Sequence, residues 1–263
     1  MQPYYQVFLA LLLAHVLGDF PLQTGRMVRG KAGFQPGAFL RHSAVHLVVS
    51  TAALIVFTPL SFRHGAPWAA IGLLVTGHLA LDLTKSAVIR RYPDVDGALL
   101  YVSDQLLHVV IVAVAAAVAL QAALPAPEML GFWTAHREAV LAYLVIAAAT
   151  VFPAGYLIRY LLQPLSRQLA ASRDDQVPQK DSLEGLSNAG LYLGWLERGL
   201  LVLAFAMGSF TAVGLIIGAK SVARFPEFKS RAFAEYFLIG TLISVTIAAV
   251  GGWVLHTVLR MTG

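Results

Sequence analysis

The chain has 263 residues, 58% of them hydrophobic and only 13% charged, with a formal net charge of +5. That composition excludes an ordinary water-soluble domain and points to a polytopic membrane protein. The basic excess does not signal nucleic acid, because Lys and Arg sit in short segments between apolar runs, where they orient a chain in a membrane.

Apolar stretches of bilayer length place the spans in chain order. The first covers residues 5–20. It reads as a retained span, since it lacks a basic n-region and Asp19 stands where a cleavage site would need small residues. The second covers 39–59, the third 67–89, the fourth 99–124 and the fifth 138–162. The polar stretch SRQLAASRDDQVPQKDSLEG then reads as a solvated loop or short surface helix within a cytoplasmic segment at 163–188. Residues 188–225 are too long for one straight span, and Gly208, Ser209 and Gly214 mark a break. A sixth helix therefore ends near Met207, a short seventh near Phe225, and the last runs over 235–256. The fold class is all-α: a polytopic transmembrane bundle of seven or eight spans, eight being favoured. A turn at Pro125 and Pro127 divides it into a four-helix metal-binding domain, 1–125, and a C-terminal membrane domain, 126–263.

The loops supply an orientation. Arg26, Arg29, Lys31 and Arg41 follow the first span, Arg90 and Arg91 the third, Arg159, Arg167, Arg173 and Lys180 the fifth, and Lys220, Arg224, Lys229 and Arg231 the seventh. The alternate loops are poor in basic residues. The eight-span reading puts the rich loops in the cytoplasm and both termini outside it.

Four spans carry one pair each of metal-capable side chains at i,i+4: His15 and Asp19, His42 and His46, His78 and Asp82, Asp104 and His108. That spacing places both members on one helix face. A charged group at the bilayer centre costs roughly 2.5 kcal/mol or more, so eight such residues ask for a shared purpose. Under the orientation above, all four pairs fall at one depth on the cytoplasmic side. Scattered buried polar residues have no reason to agree in depth.

With no cysteine in the chain, disulfides and thiolate sites are excluded, and a metal must use imidazole and carboxylate. Five His and three Asp suit two divalent ions about 3.5–4 Å apart, with three aspartates and a hydroxide balancing the charge. Zinc is the expected metal, with manganese or iron as alternatives. The Glu-x-x-His pattern of di-iron bundles, the HExxH helix and the G-x-S-x-G elbow are all absent. Lys85, Arg41 and Gln105 beside the pairs are candidates to hold an anionic substrate, and Gln23 lies one turn past Asp19. Arg26 and Lys31 stand at the same surface, and Lys85, Arg41, Arg26 and Lys31 read equally as partners of that anion or as topogenic charges snorkelling to lipid phosphates. His64, His136 and His256 lie in loops or at span ends and are expected to be solvated.

The strings AHVLGDFPLQ (14–23), RHSAVH (41–46), GHLALDLTK (77–85) and SDQLLH (103–108) resemble, in order and register, blocks of a bacterial membrane family known as domain of unknown function 3307. The resemblance covers roughly residues 5–125, and WLERGLLVL, GLIIGAKSVARF and AEYFLIGTLIS resemble the C-terminal half of its longer members. The family name implies no activity. It implies that the paired constellation is the family's hallmark.

In the C-terminal half, Glu197, Arg198, Lys220, Arg224 and Glu235 cluster at span ends on the cytoplasmic level. They read either as interhelical ion pairs or as an anionic-substrate or partner site, with Lys220 and Arg224 binding and the glutamates orienting. Gly190/Gly194 and Gly214/Gly218 are small-residue spacings that permit close helix contact, within the chain or in a homo-oligomer. The first functional reading is a metal-dependent hydrolase acting on a phosphoester or acyl substrate at the cytoplasmic face, with membrane lipid as neighbour. The alternatives are a divalent-metal or proton-coupled transporter, and a non-catalytic metal-stabilised scaffold.

Overall fold

The structure, a computed structural model, describes residues 3–122, 131–171, 189–229 and 231–262. The described residues form helices and short connections, with no strand among them. The helices are α1 (Pro3–Asp19), α2 (Gly25–Ala32), α3 (Pro36–Phe57), α4 (Gly65–Arg91), α5 (Ala98–Ala119), α6 (Gly131–Leu161), α7 (Gln163–Ala171), α8 (Ala189–Ala206), α9 (Phe210–Ala223) and α10 (Arg231–Thr262). Five of them, α3, α4, α5, α6 and α10, are long and apolar enough to cross a membrane, and α1 and α9 are shorter apolar helices. In hydrocarbon no water can satisfy a backbone amide, so apolar runs of this length are driven into helices that bond internally.

The surface confirms the solvent. Leu40, Val48, Ile55, Leu99, Leu106 and Val110 are exposed, Leu99 by 82%, while His42, His46, His78 and His108 are buried. A water-soluble protein shows the reverse distribution. This is an integral membrane protein whose exterior is apolar and whose interior holds the ionisable groups.

Local sequence sets the helix ends. Pro36 opens α3 at a position where its missing N–H costs nothing. Thr24 caps α2, its hydroxyl accepting from Met27 N. The break expected near Gly208 is present: α8 stops at Ala206, Gly208 takes φ +67°, and α9 restarts at Phe210. α2 was read from sequence only as part of a basic loop. Its eight residues are too few and too polar to announce a helix by hydropathy.

The contacts divide the chain into two compact units, Met1–Ala149 and Thr150–Gly263. The turn at Pro125 and Pro127, expected to separate the domains, lies outside the described residues. The polar stretch after the fifth span begins as α7, and residues 172–188 lie outside the description.

In the first unit, α1 packs on α3 and α5, and α4 packs on α3 and α5, closing a four-membered ring of helices. α2 packs on α3 and α4. In the second unit, α8 packs on α9 and α10, and α7 on α10. Leu201, Val202, Ala204, Val213 and Ala248 form the apolar core of that unit.

Candidate metal centre

Each helix of the ring brings one pair inward. His15 and Asp19 end α1, His42 and His46 begin α3, His78 and Asp82 lie in the second half of α4, and Asp104 and His108 in the first half of α5. The expected agreement in level is visible as contact. The imidazole rings of His46 and His78 lie 3.8 Å apart by centroid, His78 and His108 4.3 Å, His42 and His46 4.6 Å, and His15 and His108 5.1 Å.

Asp19 Oδ1 is the hub. His46 Nε2 lies 2.9 Å from it, and His42 Nε2 and His78 Nε2 each lie 3.2 Å away. His42 Nε2 and His78 Nε2 are 2.9 Å from each other, and Asp82 Oδ2 lies 3.4 Å from the first and 3.6 Å from the second. A neutral imidazole has a single N–H to give. Several Nε2 atoms converging on one carboxylate oxygen are better satisfied by a cation among them. A tetrahedral ion with ligands at 2.0–2.1 Å holds its ligand atoms roughly 3.3 Å apart, close to the 2.9–3.2 Å between Asp19 Oδ1 and each of the three Nε2 atoms. Two sets of residues bring ligand atoms within 4.8 Å of one another: His15, Asp19, His46 and His78, and His42, His78 and Asp82. These buried His/Asp groups can hold a metal ion.

A second sign is polar atoms left without partners. His15 Nε2, His46 Nδ1 and His108 Nε2 are buried with no hydrogen bond, a state that costs about 1–3 kcal/mol each if nothing binds them. His108 also shows its tautomer. Its Nδ1 lies 2.8 Å from the carbonyl oxygen of Asp104, so Nδ1–H donates and the Nε2 lone pair faces the interior.

Space for the cluster depends on Gly18. A Cβ built at that position would lie 2.6 Å from Cε1 of His46 and 2.9 Å from its Nε2. The bare helix backbone there lets the imidazole lie against α1.

The flanking cations are not arranged as the sequence suggested. Lys85 does not stand open for a substrate: its ammonium lies 2.8 Å from Asp104 Oδ2, and Gln105 Nε2 donates to the same oxygen at 3.1 Å. Lys31, assigned by sequence to the membrane surface, reaches inward from α2 and donates to Asp82 Oδ2 at 2.8 Å. Arg41 is exposed at the start of α3. Gln23 turns to His42, its Nε2 3.1 Å from the ring Nε2. Two of the three aspartates therefore already carry a lysine, and among the described residues Asp19 is paired with imidazoles. Lys31 was missed because 51 residues separate it from Asp82 and its helix was read as loop. The basic residue in a short amphipathic segment just after Asp19 was the available signal.

In the second unit, Lys220 Nζ pairs with Glu197 Oε2, and Arg231 with Glu235 in an exposed i,i+4 pair at 2.9 Å. Arg198 is buried and donates from Nε to the carbonyl oxygen of Val151 at 2.9 Å, while Arg224 is exposed. Gly214 and Gly218 have nothing within 4 Å of a built Cβ. His256 Nδ1 bonds to the carbonyl of Ala206 at 2.7 Å, so it serves a helix end.

Fold and site together define a polytopic helical membrane protein with a buried His/Asp cluster able to take a metal ion. Residues 7–130 match the family described as "Protein of unknown function (DUF3307)". All four pairs fall within the matched residues. No curated protein and no solved structure matches the chain.

Proposed function

We propose that the first unit is a metal-dependent hydrolase centre, set in the bacterial inner membrane and facing the cytoplasm, that cleaves a phosphoester or acyl substrate presented at that surface. The observation that carries this reading is Asp19 Oδ1 meeting the Nε2 atoms of His42, His46 and His78 at 2.9–3.2 Å in the bundle interior. Imidazole with carboxylate suits zinc. A zinc ion at such a site lowers the pKa of bound water to about 7 and so supplies hydroxide at neutral pH.

Charge favours one ion over the two expected from counting ligands. Three aspartates face two lysines, which leaves one negative charge on the cluster. A single divalent ion with one hydroxide brings the whole to neutrality, which a buried site requires. A second ion would leave the interior strongly positive unless it displaced Lys31 from Asp82.

The remaining groups have consistent roles. His108, its Nδ1–H held by the Asp104 carbonyl, offers its Nε2 lone pair as the proton acceptor for attacking water. Lys85 and Gln105 fix Asp104, and Gln23 orients His42. Arg41, exposed beside His42, remains the candidate to meet an anionic substrate. The cytoplasmic orientation and the external termini rest on the distribution of Lys and Arg in the loops.

The test is elemental analysis of full-length protein purified without chelator, alongside hydrolysis of phosphomonoester, phosphodiester and carboxylester amphiphiles. Wild type is expected to hold about one zinc per chain, and His78→Ala to lose metal and hydrolysis together. Metal-free wild type, or full hydrolysis by metal-free His78→Ala, would overturn the reading.

A further inference from the structure

The second unit contains a cavity of about 550 Å³ between the end of α6, the start of α8, the end of α9 and the first half of α10. Four cationic side chains line it: Arg159, Arg198, Lys220 and Arg224. No Asp or Glu is among the described lining residues, and the nearby Glu197 is turned to Lys220. Beyond the Lys220–Glu197 pair, Arg159 and Arg198 bring positive charge to the cavity, and in a membrane-embedded unit that calls for an anion.

Arg198 carries the argument. It is only 4% exposed, its Nε is used by the Val151 carbonyl, and its Nη2 is buried with no partner. Thr241 Oγ1, also lining the cavity, is likewise buried and without a partner. The guanidinium lies in a slot made by missing side chains. A Cβ at Gly155 would lie 2.7 Å from Nη2, and one at Gly194 would lie 3.3 Å from Nη1. Two helices thus give up side chains to hold a planar cation with a free N–H edge. That edge matches two oxygens of a phosphate group. Phe237 and the other apolar lining residues suit the hydrocarbon part of an amphiphile.

We infer that this cavity is a binding site for a phosphate group, with Arg198 as its buried anchor, Arg159, Lys220 and Arg224 at its sides and the Thr241 hydroxyl as a further donor. The phosphate belongs either to a lipid headgroup or to a free phosphate species. The site is built from residues of the second unit alone and does not depend on the hydrolase reading.

The test uses the full chain in neutral detergent. Phosphatidylglycerol and phosphatidylcholine are added in turn and bound lipid is read by native mass spectrometry, while inorganic phosphate is titrated by calorimetry. Wild type is compared with Arg198→Gln, with Gly155→Ala, and with Arg159→Gln, whose exposed position leaves folding intact. Preferred binding of phosphatidylglycerol, weakened about tenfold by Arg198→Gln and by Arg159→Gln, identifies a lipid headgroup. Saturable inorganic phosphate binding with the same dependence on both arginines, and no lipid preference, identifies a free phosphate. Metal content stays at the wild-type level in every variant. Wild type that binds neither probe, or variants that bind both probes as wild type does, would overturn the inference.

Discussion

Replacing Gly18 by Ala tests the metal centre without removing any ligand. The new Cβ would lie 2.6 Å from His46 Cε1, and ordinary contact begins at 3.4 Å, so the ring must retreat by about 0.8 Å. The retreat is directed away from α1, which is where Asp19 sits. His46 Nε2, now 2.9 Å from Asp19 Oδ1, is carried away from the carboxylate it shares with His42 and His78. Displacing a ligand's support in this way typically weakens metal affinity by about tenfold to a hundredfold, or about 1.4–2.7 kcal/mol. Gly72→Ala in α4 is the control, because a Cβ there meets nothing within 4 Å. In a helix interior that change is neutral or slightly stabilising. Affinity is read by competition against a chromogenic chelator in detergent, with thermal unfolding recorded in parallel. Unchanged zinc affinity in Gly18→Ala, or equal losses in both variants, would refute the reasoning.

Further outcomes follow from the lysine–aspartate pairs. Asp104→Asn leaves Lys85 without its counter-ion; with that side chain 25% exposed, the loss of stability is about 1–3 kcal/mol, below the figure for a fully buried pair. Lys85→Met added to Asp104→Asn restores most of it in a chemical-denaturation series, and metal content survives in both, since Asp104 is in neither metal-capable set. Lys31→Met frees Asp82 and removes one positive charge, so bound metal is expected to rise from about one ion towards two per chain, as read by elemental analysis. Stripping metal from wild type lowers the unfolding midpoint, and restoring zinc to a hundred times its Kd returns about 2.7 kcal/mol. Gly208→Ala places a Cβ at φ +67° and destabilises the α8–α9 break by about 1 kcal/mol, measurable by thermal unfolding.

The parts of this architecture that are periodic along the chain were readable from it. Helices α3 to α6 and α10 coincide with apolar runs, and the i,i+4 spacing alone put each His or Asp pair on one face. Gly208 announced its own break because only glycine accepts that φ without strain. Partnerships between distant residues were not readable. Lys85 looked like a substrate ligand because it follows Asp82 by three residues, but Asp82 pairs with Lys31, and the partner of Lys85 in space is Asp104 on the next helix. The preference for two ions came from counting carboxylates without these lysines. The slot for Arg198 needs a glycine on each of two helices, and glycines 39 positions apart carry no joint signal.

Closing a ring of four helices around groups drawn from all of them has a consequence for biogenesis. The α1–α3 hairpin brings His15, Asp19, His42 and His46 into the membrane before the rest of the set has been made. Until α4 and α5 follow, Asp19 lacks His78, and His15 lacks the ring of His108 stacked against it. A half-inserted chain therefore presents ionisable groups to lipid, and a completed one hides them. The cluster can act as a record of assembly: the interior becomes tolerable in hydrocarbon only after the fourth helix of the ring has arrived, and quality-control proteases that sense polar residues in the membrane would meet only the unfinished form.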